Sequence, residues 1–209
     1  MSKENTLSLP DPTVELVREK IAAFDDDQDT SVEEYALGLL LNQYPKNTDP
    51  AHVFLKVTAI NALYSTQIYA IKEMARQVAK LGSDGHLDNS LNEGSIEIVD
   101  EIAHLNLSKD SKKPRVNISF ASKYCSWHRQ DCYPIYDRHA ESCLWAYRNR
   151  DKFKEYKRYS CDVYAKYVEN VNAFRSYYHL ENIGYKDLDK FLYLQGGEIL
   201  DEKKPKRSE

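Results

Sequence analysis

Apolar residues recur along this chain at three- and four-residue spacing, and no stretch alternates over the length of a strand. Val53, Phe54, Val57, Ile60 and Leu63 form one such run, and Ile68, Ile71, Met74, Ala75 and Val78 a second. Tyr164, Tyr167, Val168, Val171, Phe174 and Tyr178 form a third. That period belongs to helices with one face turned to a core. Seven glycines in 209 residues leave little material for hairpins, and no longer repeat is visible. An all-α fold follows.

Punctuation divides the chain. Residues 1–10 read as disordered, and Pro10-Asp11-Pro12 opens a helix over 13–24. Asp25 to Asp29 reads as a linker or an acidic helix end, and Thr30-Ser31-Val32-Glu33-Glu34 as a capped start. That second helix runs through Leu37, Leu39, Leu40 and Leu41 to Pro45, and Asp49-Pro50 opens the next. Polar Tyr64-Ser65-Thr66-Gln67 interrupts two apolar runs, as a corner facing a cleft or as the polar face of one continuous helix. Residues 82–93 are expected to be a loop, 96–105 a helix, and 108–115 a basic connector. The last helix, 187–194, is expected to stop at Gly196-Gly197, leaving 198–209 as a charged tail. One domain over 11–197 follows, and a monomer is expected.

Net charge is −4 but unevenly spread. Residues 1–50 hold eleven acidic and four basic side chains, whereas 108–123 hold five basic against one acidic, and 148–158 six against two. Near-neutral totals therefore leave room for a basic face able to meet a polyanion. Such runs are also common on solvated helices. Cys125, Cys132, Cys143 and Cys161 form no CxxC pair and no zinc-like spacing, so no metal and no cofactor are implied. No apolar run approaches the roughly 20 residues of a membrane span, and no signal peptide is visible. A cytoplasmic protein with reduced thiols is expected, nucleoid-associated or nuclear if it acts on DNA.

The stretch 119–143 carries most of the chemistry. Apolar Phe120, Ala121, Tyr124 and Trp127 lead into His128-Arg129-Gln130-Asp131, a turn with Pro134 follows, and Asp137 stands before a helix starting at Arg138. Asp137 there is a helix N-cap, or a carboxylate poised between two helices. Trp127 fits a core position, and with Tyr64 and Tyr136 it could instead sandwich a flat ring. Sixteen tyrosines against six phenylalanines suit half-wet grooves or core edges.

The succession of a basic connector, a helix, Pro134-Ile135-Tyr136-Asp137 and a new helix at Arg138-His139 resembles the helix-hairpin-helix DNA glycosylases, and most of all their 8-oxoguanine glycosylase branch. Tyr64-Ser65-Thr66-Gln67 is similar to the corner those enzymes point at DNA, and residues 187–193 with Gly196 to their terminal helix. The likeness covers about residues 50–197. It implies two helical lobes around a cleft, duplex DNA with a damaged or modified base as partner, and base excision by hydrolysis of the N-glycosidic bond of a flipped nucleotide. It assigns Asp137 as the catalytic carboxylate and Tyr64, Trp127 and Tyr136 to the base pocket. Lys112, Lys113, Arg115, Gln67, Arg138 and His139 become DNA contacts.

Two departures stand out. The hairpin segment, Lys112-Lys113-Pro114-Arg115, has none of the family's glycines. The lysine of bifunctional members falls on Ser119, with Lys123 one helical turn on, either a relocated amine or a surface residue. The alternatives are a catalytically inactive helical module binding DNA or protein, and a defence-associated protein that recognises modified DNA without cutting it.

Overall fold

The computed structural model describes residues 9–107, 115–158 and 164–202, and the side chains of all of these except 29 and 30. The expected disorder at 1–8, the basic residues at 109–113, the capping side chain at 30, the cysteine at 161 and the tail at 203–209 lie outside them. Ten helices and no strand occur among the described residues. They are α1 (Val14–Asp25), α2 (Gln28–Gln43), α3 (Pro50–Leu63), α4 (Ile71–Gly82), α5 (His86–Glu93), α6 (Glu97–Ala103), α7 (Ile118–His128), α8 (Arg138–Asp151), α9 (Tyr164–Tyr177) and α10 (Tyr185–Glu202). No helix among the described residues is long and apolar enough to cross a membrane.

Several starts are set by side chains the sequence advertises. Thr13 caps α1 by accepting from Leu16 N, and Asp49 caps α3 by accepting from Ala51 N, with Pro50 in the first turn. Four expectations fail. Helix α2 begins at Gln28 rather than at the 30–34 cap, and Ser31 lies inside it, donating to the carbonyl of Asp27. The expected loop over 82–93 contains α5, opened by Gly85 and closed by Gly94, both at positive φ. Helix α10 runs through Gly196-Gly197 to Glu202. Gly196 is needed there for space: a Cβ would overlap the His139 carbonyl oxygen, because α8 and α10 cross at that point. Leu9 and Pro10, expected to be disordered, are tied down by Arg150 and Tyr147 donating to their carbonyls.

One buried cluster joins the chain, from Val17 on α1 to Ile199 on α10. The tightest pairing is α8 on α10, α1 lies along α10, and α7 is embraced by α3 and α6. Lys20–Glu198 and Lys190–Asp25 (2.5 Å) ion pairs stitch the α1–α10 seam. Tyrosines serve the core in an unexpected way. Tyr133, Tyr147, Tyr164 and Tyr167 are almost wholly buried, yet each hydroxyl reaches a backbone carbonyl. A Phe would fill the same space and forfeit those hydrogen bonds.

Candidate active site

The turn from α7 to α8 is held from three sides. Ser122 Oγ of α7 accepts from Tyr136 N at 3.0 Å, and Asp189 Oδ2 of α10 accepts from Ile135 N at 2.8 Å. Tyr164 and Tyr167 of α9 donate to the carbonyls of Pro134 (2.6 Å) and Ile135 (2.7 Å). Such a bonded turn fixes where Asp137 begins α8. Asp137 is extended (φ −147°, ψ 176°), and its Oδ1 accepts from Ala140 N at 2.8 Å. It is therefore a helix N-cap, and its Oδ2 is turned elsewhere.

Oδ2 faces Lys123 Nζ at 4.0 Å. Lys123 is not on the surface: its residue is 3% exposed, and the ammonium donates to Ser119 Oγ (2.9 Å), with Tyr136 O at 3.5 Å and the Tyr64 ring centroid at 5.5 Å. Burial lowers its pKa, opposed by the charges of Asp137 and Asp189. Asp189 completes the cluster. Burial pushes its pKa well above the usual carboxylate range, and Asp137 adds to the rise, against the Ile135 amide and Lys123.

These groups lie in a cleft of about 500 Å³, a size suited to a small organic ligand or a single nucleobase. Its lining comes from the α3–α4 corner (Tyr64, Ser65, Gln67), α7 (Ser119, Lys123, Trp127), the head of α8 (Asp137, Arg138, His139) and α10 (Asp189, Lys190, Tyr193), closed by α1 and α2. The corner reading is the one the backbone adopts. Ser65 and Gln67 take positive φ (46° and 59°), a costly conformation that its surroundings must hold. Asn61 Oδ1 accepts from Thr66 Oγ1 and Ile68 N, and Arg115 donates to the Gln67 carbonyl.

Of the residues singled out in the sequence, Tyr64, Gln67, Lys123, Trp127, Asp137, Arg138 and His139 all line this cleft. Trp127 is half-buried, and its indole donates to Tyr64 OH at 2.9 Å, so two aromatic walls are locked together. His139 packs its ring on Tyr193 at 4.7 Å. Tyr136 is not among the lining residues; its ring meets Tyr167 edge-on at 5.0 Å. Arg115 sits beside the corner rather than in the cleft, and Lys112 and Lys113 lie outside the described residues. Asp189 was missed. Its signal is positional: with Leu192, Gly196 and Ile199 it falls on the buried stripe of α10, where an acid is out of place.

A model of the HI_0787_N N-terminal domain matches residues 16–132. An uncharacterized protein of Haemophilus influenzae is 31% identical over 189 residues, covering 86% of this chain and 88% of its own. The chain belongs to the HI_0787_N family. No solved structure matches it. In this HI_0787_N-family protein the matched stretch carries Tyr64, Ser119, Lys123 and Trp127 and stops short of Asp137 and Asp189. The cleft is thus assembled from both sides of that boundary.

Proposed function

We propose that the cleft cleaves the N-glycosidic bond of a damaged or modified base turned out of duplex DNA. The supporting observation is the Lys123–Asp137 pair, 4.0 Å apart on the floor of a cleft walled by Tyr64 and Trp127. A flipped base would stack against those rings. The Asp137 carboxylate would stabilise positive charge growing on the sugar as the bonding pair departs with the base nitrogen, which takes up a proton. Water or the Lys123 amine then bonds to C1′ and gives up one proton, which balances the one the departing base takes up. Burial eases loss of the Lys123 proton, which a nucleophilic amine requires. Gln67, Arg138 and His139 at the rim, with Lys112, Lys113 and Arg115, would meet the duplex. Helices α3–α7 and α8–α10 serve as the two lobes in this reading.

Single-turnover incubation with duplexes carrying 8-oxoguanine, uracil or alkylated bases tests it, with Asp137→Asn and Lys123→Gln alongside. Asn keeps the helix cap, so the fold survives while base release is expected to fall about 100-fold or more. A borohydride-trapped adduct present in the wild type and lost in Lys123→Gln would mark the amine as the nucleophile; release without an adduct would mark water. Release unchanged in Asp137→Asn would sink the reading.

One observation favours an inactive binding module instead. Both Asp137 oxygens have structural uses, one capping α8 and the other beside Lys123. That reading gains if no base is released, yet salt-sensitive DNA binding is lost on neutralising Lys112, Lys113 and Arg115.

A further inference from the structure

We propose that Asp189 contacts the ligand of the cleft directly, its Oδ1–H donating a hydrogen bond to an acceptor atom on the edge of the bound base. The inference rests on the reading of the cleft as a nucleobase site and adds the residue that discriminates between bases.

The geometry begins with α10, which presents Asp189 to the cleft wall between Lys186 and Tyr193. The residue is 8% exposed. One carboxyl oxygen, Oδ2, is used by the amide of Ile135, 2.8 Å away. The other, Oδ1, is buried and meets no hydrogen-bond partner. Buried polar atoms are nearly always paired. An unpaired one on a residue that lines a cavity calls for an explanation, and a ligand atom reaching it from the cavity supplies one. The cationic side chains nearest along the same helix are spoken for: Lys190 pairs with Asp25 at 2.5 Å and Lys186 with Glu34 at 3.2 Å.

The protonation state follows from the surroundings. Lys123 faces Asp189 from α7 and favours its anion, as does the Ile135 amide. Burial above all, and the negative charge of Asp137 at the head of α8, oppose them and raise the pKa well above the usual carboxylate range, which favours the acid form. Tyr64 at the end of α3 and Tyr164 on α9 are the other titratable neighbours. Burial raises the pKa of both phenols, so they stay neutral as well. With Ile135 N–H donating to Oδ2, the proton resides on Oδ1. Asp189 is therefore a donor. It accepts a base whose inner edge carries a carbonyl oxygen or a bare ring nitrogen, and it rejects one that offers an amino group there.

The test separates a neutral donor from a buried anion and from a purely structural acid. Aspartate labelled with 13C at Cγ is followed by NMR, the Asp189 signal being assigned by its loss in Asp189→Asn. Uracil, adenine, cytosine and 8-oxo-2′-deoxyguanosine are the probes. At pH 7 the resonance is expected in the protonated range, and at least one probe shifts it. Asp189→Asn, whose amide oxygen can accept from Ile135 while its NH2 donates inward, should hold that probe within about threefold of the wild type. Asp189→Leu should weaken it tenfold or more while remaining folded. An ionised Asp189 at pH 7, no shift with any probe, or undiminished binding by the Leu variant would each overturn the proposal. Base release from duplexes is scored separately. Its absence, with the Asp189 shift intact, would refute the excision chemistry and leave the contact standing.

Discussion

Asp137 caps α8 with one oxygen and faces a buried ammonium with the other, and substitutions can pull these two duties apart. Asp137→Ala removes the cap and the carboxylate that faces Lys123; a loss of about 1–2 kcal/mol in urea unfolding is expected. Asp137→Asn keeps the cap and removes only the charge facing Lys123, so it should cost less. His128, at the end of α7, gives a pH signature. Burial, helped by the charge of Lys56, depresses its pKa to about 3, from 6.5. The unfolded chain thus binds this proton more readily than the native one. The stability contributed by the neutral ring is complete above pH 6.5 and drains away as pH falls toward 3, at up to about 1.4 kcal/mol per unit. Denaturation of wild type and His128→Phe at pH 7, 6, 5 and 4 should show a shallower acid slope in the variant. At this scale the sequence exposed much of the site. The gap of four from Ser119 to Lys123 put the amine on a known helical face, and Asp137 before Arg138 announced a cap. Burial of Lys123, and the pairing of Asp189 with a turn 54 residues away, depend on α7, α8 and α10 packing together. No local pattern encodes that packing.

Helix termini that rest on local side chains, such as Thr13 and Asp49-Pro50, were legible in the sequence. The end of α10 was not, because Gly196-Gly197 serves a crossing rather than a stop. The two glycines therefore predict opposite responses. Gly196→Ala would drive a methyl into the His139 carbonyl and lever α10 off α8, for a cost of about 1–3 kcal/mol. Gly197→Ala meets only His139 Cδ2 at 3.9 Å and should stabilise the helix interior by about 0.5–1 kcal/mol. Thermal melts of the two single variants decide the matter, and a common direction would contradict the crossing. Since His139 lines the cleft, Gly196→Ala should also disturb whatever the cleft binds.

Across the whole molecule, the stretch matched by the family model ends inside the α7–α8 turn, whereas the buried cluster does not. Cutting there strips away Tyr133, Tyr164, Phe174 and Leu192, all wholly buried, and bares the face of α1 that lies on α10. Residues 16–132 expressed alone should keep helical circular dichroism but bind a hydrophobic dye and melt without cooperativity. A sharp melt from that fragment would show that the division is a true domain boundary. The α1–α10 seam also has a consequence for birth on the ribosome. At about 5–20 residues per second, the segment containing Asp189 and Lys190 follows α1 by roughly ten to thirty seconds. Until then α1 has no partner along its inner side, and the cleft lacks a wall. Until α10 emerges, the nascent chain thus bares apolar surface of the kind chaperones hold, and the cleft closes only once that last described helix has been made.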